Sequence, residues 1–215
     1  MINQKIADLR QDYRLATLHE REVAASPLQQ FERWWEEVIK SQVEEPNAMT
    51  LATSTPDGKP SARIVLLKSF NEQGFLFFTN YESRKGKELA ENPQASLLFF
   101  WRELERQVRI EGTVIKAPAS VSDEYFNSRP AGSRIGAIAS PQSEVIADRE
   151  VLEARVRELE AGHLEHAPQR PGHWGGYVVQ PEVMEFWQGR SSRLHDRLRY
   201  TLQAGNAWKI ERLAP

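Results

Sequence analysis

The chain predicts a mainly β protein with peripheral helices (α+β), built as an antiparallel barrel. Three observations carry this. From Ala48 onward about eight or nine short apolar or alternating segments recur, most of them joined by tight turns. Helical periodicity is confined to stretches before, between and after groups of strands. No regular β-α-β alternation runs through the sequence, which excludes a doubly wound parallel sheet.

Residues 1–20 read as an arm or weak amphipathic helix, with Ile6, Leu9 and Tyr13 at helical spacing. Ser26 and Pro27 open a stronger helix whose stripe is Leu28, Phe31, Trp34, Trp35 and Val38, closed by Pro46-Asn47. Strands are expected at 48–55 and 60–70, with a hairpin turn at Pro56-Asp57-Gly58-Lys59. After Asn71-Glu72-Gln73-Gly74 a strand runs over 75–80, and a short helix over 83–91. Strands at 95–101 and 106–116 follow; in the second, Val108, Ile110 and Val114 share one face, and Gln107, Arg109, Glu111 and Thr113 the other. Residues 119–163 turn helical, broken at Pro130 and Pro141, with Asp148 capping the last helix. Strands at 174–180, 183–188, 193–200 and 207–213 complete the chain.

The 215 residues suit a single domain, 1–215, with 119–163 a helical insertion; no repeat or linker marks a second one. Zero cysteines exclude a disulfide framework, a thiolate nucleophile and Cys-ligated metal. The longest apolar run, Leu97 to Trp101, is far short of the roughly 20 residues that span a bilayer. Met1 to Arg10 lacks the apolar core of a secretory signal. The expectation is a soluble, cytoplasmic protein with no membrane partner. With 28 basic and 30 acidic residues, the balance argues against nucleic-acid binding. Local basic clusters in a neutral chain suit small anions such as phosphate esters, or else solvated surface faces.

Neither a glycine-rich dinucleotide fingerprint, a P-loop nor a nucleophile elbow is present. His163, His166 and His173 lie in a proline-bearing loop that fixes no ligand geometry, so no metal is assigned. Three features converge on an anion. Ser83-Arg84-Lys85 stands where a helix starts, which is either an anion cradle or an ordinary capped basic turn. Arg63 to Lys68 is an apolar strand with a cation at each end, either meeting an anion or lying near solvent. Arg193, His195 and Arg197 would share one face of a strand, a costly stack unless a ligand lies over it or the face is open to water. Gly175-Gly176 offer close backbone approach nearby, and Trp187 an indole that could cover a flat ring. Cations and aromatics without a nucleophile–base pair suit a bound organic cofactor.

The chain strongly resembles the pyridoxine/pyridoxamine 5′-phosphate oxidase family. The resemblance spans nearly the whole length. It rests on Arg63-Ile64-Val65-Leu66-Leu67-Lys68, Phe78-Thr79-Asn80 with Ser83-Arg84-Lys85, Leu104-Glu105-Arg106-Gln107-Val108, Ser128-Arg129-Pro130, Pro141-Gln142-Ser143, Trp174-Gly175-Gly176, Glu185 to Gly189, Arg193 to Arg197, and the terminal Arg212-Leu213-Ala214-Pro215. It implies an FMN-binding split β-barrel forming a homodimer with FMN at the subunit interface. FMN would contact Arg63, Ile64, Val65, Leu66, Leu67, Lys68, Phe78, Thr79, Arg84, Lys85, Gln107, Gln142, Ser143, Trp187 and Arg197. The substrate phosphate would be held by Lys68, Tyr125, Arg129 and Ser133, with Arg193 and His195 against the pyridine ring as the catalytic pair that orients it. Arg10 and Tyr13, on a mobile arm over 1–20, would close over the substrate. The implied reaction is hydride transfer from C4′ of pyridoxine or pyridoxamine 5′-phosphate to flavin N5. Dioxygen then gives hydrogen peroxide, and the amine also releases ammonia. The pattern departs at Gln11-Asp12, where the family often has Arg-Glu, and at Phe78, where tyrosine is common.

Two rivals share the fold: a flavin oxidase of the phenazine-biosynthesis type, and a non-catalytic module that binds flavin or haem. The substrate-phosphate set at Lys68, Tyr125, Arg129 and Ser133 weighs against both.

Overall fold

The computed structural model describes residue 9 and residues 11–162 and 168–215. The chain divides into two compact units. One comprises Met1–Met49, Leu97–Glu111 and Pro181–Pro215; the other comprises Thr50–Ser96 and Gly112–Gln180.

The elements are α1 (Pro27–Lys40), β1 (Ala48–Ser54), β2 (Pro60–Leu66), β3 (Ser69–Asn71), β4 (Gly74–Asn80), α2 (Arg84–Glu91), β5 (Gln94–Trp101), β6 (Arg106–Lys116), α3 (Ala119–Ser128), α4 (Ala131–Ala139), α5 (Arg149–Gly162), β7 (Trp174–Gln188), β8 (Asp196–Leu202) and β9 (Trp208–Arg212). The strands hydrogen-bond in the order β2-β1-β5-β6-β7-β4-β3, with β8 joined to β7 and β9 to β8. The pairs β3–β4, β4–β7, β7–β8 and β8–β9 are all antiparallel.

Most expected elements form, and the differences have local causes. The stretch expected as one strand over 60–70 breaks after Leu66. There β2 keeps company with β1 while β3 turns to pair with β4, and the Lys68 N–H donates to the Leu76 carbonyl at 2.9 Å. The two strands expected over 174–188 are one. Its Trp174–Val179 half pairs with β4 and its Val183–Gln188 half with β8, so Pro181 falls between these two ladders. Strand β8 begins at Asp196 and not at Arg193, because Ser192 and Arg193 adopt left-handed φ of 55° and 61° in a single 3₁₀ turn. Helix α1 stops at Lys40, ahead of left-handed Gln42 and Glu45. Residues 11–19 are non-helical.

The core of the first unit is aromatic. Helix α1 buries Phe31, Trp34 and Val38, with Phe31 5.3 Å from Phe99 and Trp34 edge-on to Phe186 at 5.2 Å. Arg106 seals this core: its guanidinium lies 4.4 Å from the Trp34 ring and donates to Glu37 (2.6 Å) and Gln188 (2.9 Å). In the second unit Phe75, Phe77 and Val179 are fully buried between β4 and β7, and Phe126 of α3 packs edge-on to Trp174.

Helix α2 sits unusually close to the turn before it. A Cβ on Gly86 would lie 2.1 Å from the Tyr81 carbonyl oxygen, so only glycine allows this approach. Gly86→Ala is expected to destabilise the protein by about 3 kcal/mol, as overpacking against rigid backbone does. Denaturant unfolding checks this; a loss below about 0.5 kcal/mol would show that α2 shifts freely.

Candidate functional site

The second unit holds a cavity of about 860 Å³. Its lining brings together Arg63, Ile64, Val65, Leu66 and Lys68 from β2 and the corner after it, and Phe78 and Thr79 from β4. It also includes Arg84 and Lys85 from α2, Tyr125 and Arg129 from α3 and its end, Ser133 from α4, and Gln142, Ser143 and Trp174. Of these fifteen residues, all but Trp174 were expected at the site from the sequence. Leu67, expected there too, is a core residue and not part of the lining.

Local structure explains how the cations come to face the cavity. Ser83 caps α2: its hydroxyl accepts from the Gly86 N–H and donates to the Asn80 carbonyl at 2.7 Å. The next turn then places Lys85 inward, buried to 8% exposure. Its ammonium donates to Thr79 Oγ1 (3.1 Å), Ser83 Oγ (3.3 Å) and Gln142 Oε1 (3.1 Å), all neutral oxygens. Burial first, and the neighbouring Arg63 second, push the Lys85 amine down to about 8. A buried cation without a carboxylate is costly unless an anion joins it.

Arg63 is anchored by Leu51 O, Thr53 Oγ1 and Ser61 Oγ, and its pKa is lowered by burial despite Glu88 nearby. Arg84 donates through Nε to Glu88 at 2.9 Å. Glu88 was not singled out in the sequence. An acidic residue four positions after Arg84 and beside Leu89, on the inner face of a short helix, was the available signal.

A second group of cations borders an aromatic stack. Phe78 lies 4.1 Å from Tyr125 and 5.4 Å from Trp174, nearly parallel to both. Lys68 Nζ is 5.6 Å from the Tyr125 ring, and the Arg129 guanidinium 4.8 Å from the Trp174 ring. Burial lowers the Arg129 pKa, and its buried Nη1 has no hydrogen-bond partner among the described residues. An orphaned buried donor on a cavity wall marks a place for a ligand acceptor. Both cation groups therefore fit a phosphorylated ligand.

Gln107, Trp187, Arg193, His195 and Arg197 belong to the first unit. The three-cation strand face does not form. Arg193 is exposed and precedes the strand, while Arg197 is neutralised by Glu185 at 2.7 and 3.1 Å and also donates to Ala214 O. Tyr13, Trp187 and His195 do come together, with Trp187–His195 ring centroids 4.6 Å apart and Tyr13 edge-on to Trp187 at 5.8 Å. Tyr13 also covers Gly189, where a Cβ would meet its ring at 2.7 Å. His195 Nδ1 accepts from the Arg190 N–H at 3.1 Å, so the neutral ring carries its proton on Nε2. Burial, then Arg193, lowers the His195 pKa. Asp196 and Arg212 tie this loop down: Arg212 bonds Glu20, Asp196 and Leu18 O, and Asp196 bonds Arg190. Gly175 and Gly176 make room for Tyr81 and Ala117 and not for a ligand. Arg10, His163 and His166 lie outside the described residues; His173 contacts the Ala137 carbonyl. No described helix is long and apolar enough to cross a membrane.

Fold and cavity define a split β-barrel of the FMN-binding type. Residues 35–162 match the family model described as pyridoxamine 5′-phosphate oxidase, and residues 174–215 match the pyridoxine 5′-phosphate oxidase C-terminal dimerisation region. The chain belongs to the pyridoxamine 5′-phosphate oxidase family. It is 61% identical over 214 residues to the pyridoxine/pyridoxamine 5′-phosphate oxidase of Trichormus variabilis, covering 100% of both chains. It is 60% identical over 210 residues to that of Paraburkholderia phymatum, covering 98% of this chain and 99% of the relative. Among solved structures, PhzG from Burkholderia lata 383, in complex with tetrahydrophenazine-1-carboxylic acid, aligns at a TM-score of 0.87 with 37% identity, over 94% of this chain and 99% of that one. A pyridoxamine 5′-phosphate oxidase-related, FMN binding protein from Nostoc punctiforme shares the fold at a TM-score of 0.69 and 16% identity, over 90% of this chain and 100% of that one. The C-terminal dimerisation region supports a homodimer.

Replacing Lys85 by Met removes the buried charge. The ligand-free protein is then expected to gain roughly 1–2 kcal/mol at pH 7, as relief of an uncompensated buried ion implies. The wild-type penalty holds in full below pH 8 and fades between about 8 and 10.5, where the folded amine is neutral and the unfolded one still charged. Thermal unfolding at pH 7 and pH 10 checks this; a Lys85→Met protein less stable at pH 7 would contradict it.

Proposed function

We propose that the chain is an FMN-dependent oxidase that converts pyridoxine 5′-phosphate or pyridoxamine 5′-phosphate to pyridoxal 5′-phosphate. The observation that carries the reading is the buried Lys85 ammonium whose partners among the described residues are neutral oxygens at a cavity wall, in a chain of this family. Bound FMN supplies the hydride acceptor at N5 and passes the electrons to dioxygen, giving hydrogen peroxide; the amine substrate also releases ammonia.

In this reading Lys85, Arg84 and Arg63 hold the FMN phosphate, helped by Gln142 and Ser143. The β2 residues Ile64 to Leu66, with Phe78 and Thr79, line the cofactor's path. By family resemblance Gln107, Trp187 and Arg197 belong to the cofactor set as well. Lys68, Tyr125, Arg129 and Ser133 take the substrate phosphate, the unpartnered Arg129 Nη1 being the donor with most to gain. His195 presents an Nε2–H donor to the pyridine ring's substituents and does not act as the base at that atom, and Arg193 orients the ring beside it. Tyr13 covers the bound substrate, and Arg10 is its companion on the arm. FMN lies at the interface of a homodimer. A cytoplasmic setting goes with phosphate-ester ligands that do not cross membranes. The second cation group around Tyr125 favours this reading over a phenazine-type oxidase or a non-catalytic module.

Mixing the FMN-loaded protein anaerobically with pyridoxine 5′-phosphate is expected to bleach the visible absorbance of the oxidised flavin. Admitting oxygen should restore the absorbance with release of peroxide. Flavin that stays oxidised would overturn the reading.

A further inference from the structure

Glu88 is an acidic side chain that contacts Ser61, Arg63 and Arg84 of the wall of a basic cavity, which needs an explanation. It is 4% exposed and its carboxylate is fully engaged. One oxygen, Oε2, accepts from Thr53 Oγ1 (2.5 Å), Ser61 Oγ (2.6 Å) and Arg63 Nη2 (3.4 Å). The other, Oε1, accepts from Arg84 Nε at 2.9 Å. The two hydroxyls are shared: Thr53 Oγ1 also takes Arg63 Nη1 at 2.6 Å, and Ser61 Oγ takes Arg63 Nη2 at 2.5 Å. Arg63 is thereby fixed at both ends of its guanidinium. Among the described residues Arg84 is held by its Nε, which leaves both Nη nitrogens outside the pair. Burial raises the Glu88 pKa, but the bonds from Ser61, Thr53 and Arg84 outweigh it and hold the carboxyl at about 2, so it is ionised at every working pH.

Building on the FMN reading above, we propose that Glu88 is the positioning residue of the phosphate site. Its carboxylate orients Arg63 and Arg84 so that the phosphate monoester meets a fixed set of donors beside Lys85. Two opposed effects make this testable. Simple Coulomb repulsion says that an anion next to the cavity disfavours phosphate, so neutralising it should tighten binding. Orientation says the reverse: two long cationic side chains released from their anchor regain rotamer freedom and must be reordered by the ligand.

The test is Glu88→Gln in the full-length protein, with FMN and riboflavin as paired probes followed by flavin fluorescence. Riboflavin shares the ring and lacks the phosphate. The expected result is FMN affinity about tenfold weaker with riboflavin affinity unchanged, so that the FMN-to-riboflavin preference falls about tenfold. An unchanged or larger preference, or equal weakening of both probes, overturns the proposal. Should Glu88→Gln fail to fold, Thr53→Val removes one shared hydroxyl and is expected to lower the same preference in the same direction. A wild-type protein that binds no FMN overturns the cofactor reading itself, whereas normal wild-type binding with an unaltered Glu88→Gln preference overturns this proposal alone.

Discussion

Much of the site follows from one buried ammonium. Lys85 lies in the first turn of α2, satisfied by hydroxyl and amide oxygens and, among the described residues, by no carboxylate. Such a group raises the energy of the empty protein and lowers that of the loaded one, so the fold holds binding energy in reserve for an anion. The requirement reaches well beyond the lysine. Ser83 must cap α2 and face Lys85 at once, Gly86 must let the helix lie against Tyr81, and the loop at Gln142 must close over the amine. Glu88 pairs with Arg63 and Arg84, whereas Lys85 has no carboxylate partner among the described residues.

The aromatic groups divide the remaining work. In the second unit Phe78, Tyr125 and Trp174 form a stacked wall on which Lys68 and Arg129 rest, so cations are held by ring faces where no carboxylate would compete with a ligand. In the first unit Tyr13, Trp187 and His195 cluster over Gly189. The Arg212–Asp196–Arg190 network holds the loop that fixes the His195 proton on Nε2. Arg197, by contrast, is held by Glu185, with the Ala214 carbonyl at its other end.

The alternation in β6 and the turn residues were enough to place nearly every strand, because half-buried strands and glycine–asparagine turns leave period and composition in the sequence. The cavity wall was legible for the same reason: Arg63 to Lys68, Ser83 to Lys85 and Gln142-Ser143 are contiguous segments whose residue types match their chemistry. What stayed hidden depends on partners distant in sequence. Pro181 looked like a strand break because the sequence does not show that the ladders on either side of it go to different strands. Arg193, His195 and Arg197 looked like one face because alternation assumes extended backbone, and two left-handed residues remove it. Glu88 went unnoticed because its partners Thr53 and Ser61 lie on β1 and β2, and what approaches Gly175-Gly176 so closely was not legible because Tyr81 is far away in sequence.

The central claim is that the Lys85 charge is the phosphate's counter-ion, and the pH dependence of FMN affinity tests it most directly. Affinity should be level from pH 7 to about 8 and then weaken about tenfold per pH unit as the free amine loses its proton. A Lys85→Met protein should bind FMN more weakly and without that slope. Equal pH profiles in the two proteins would contradict the account.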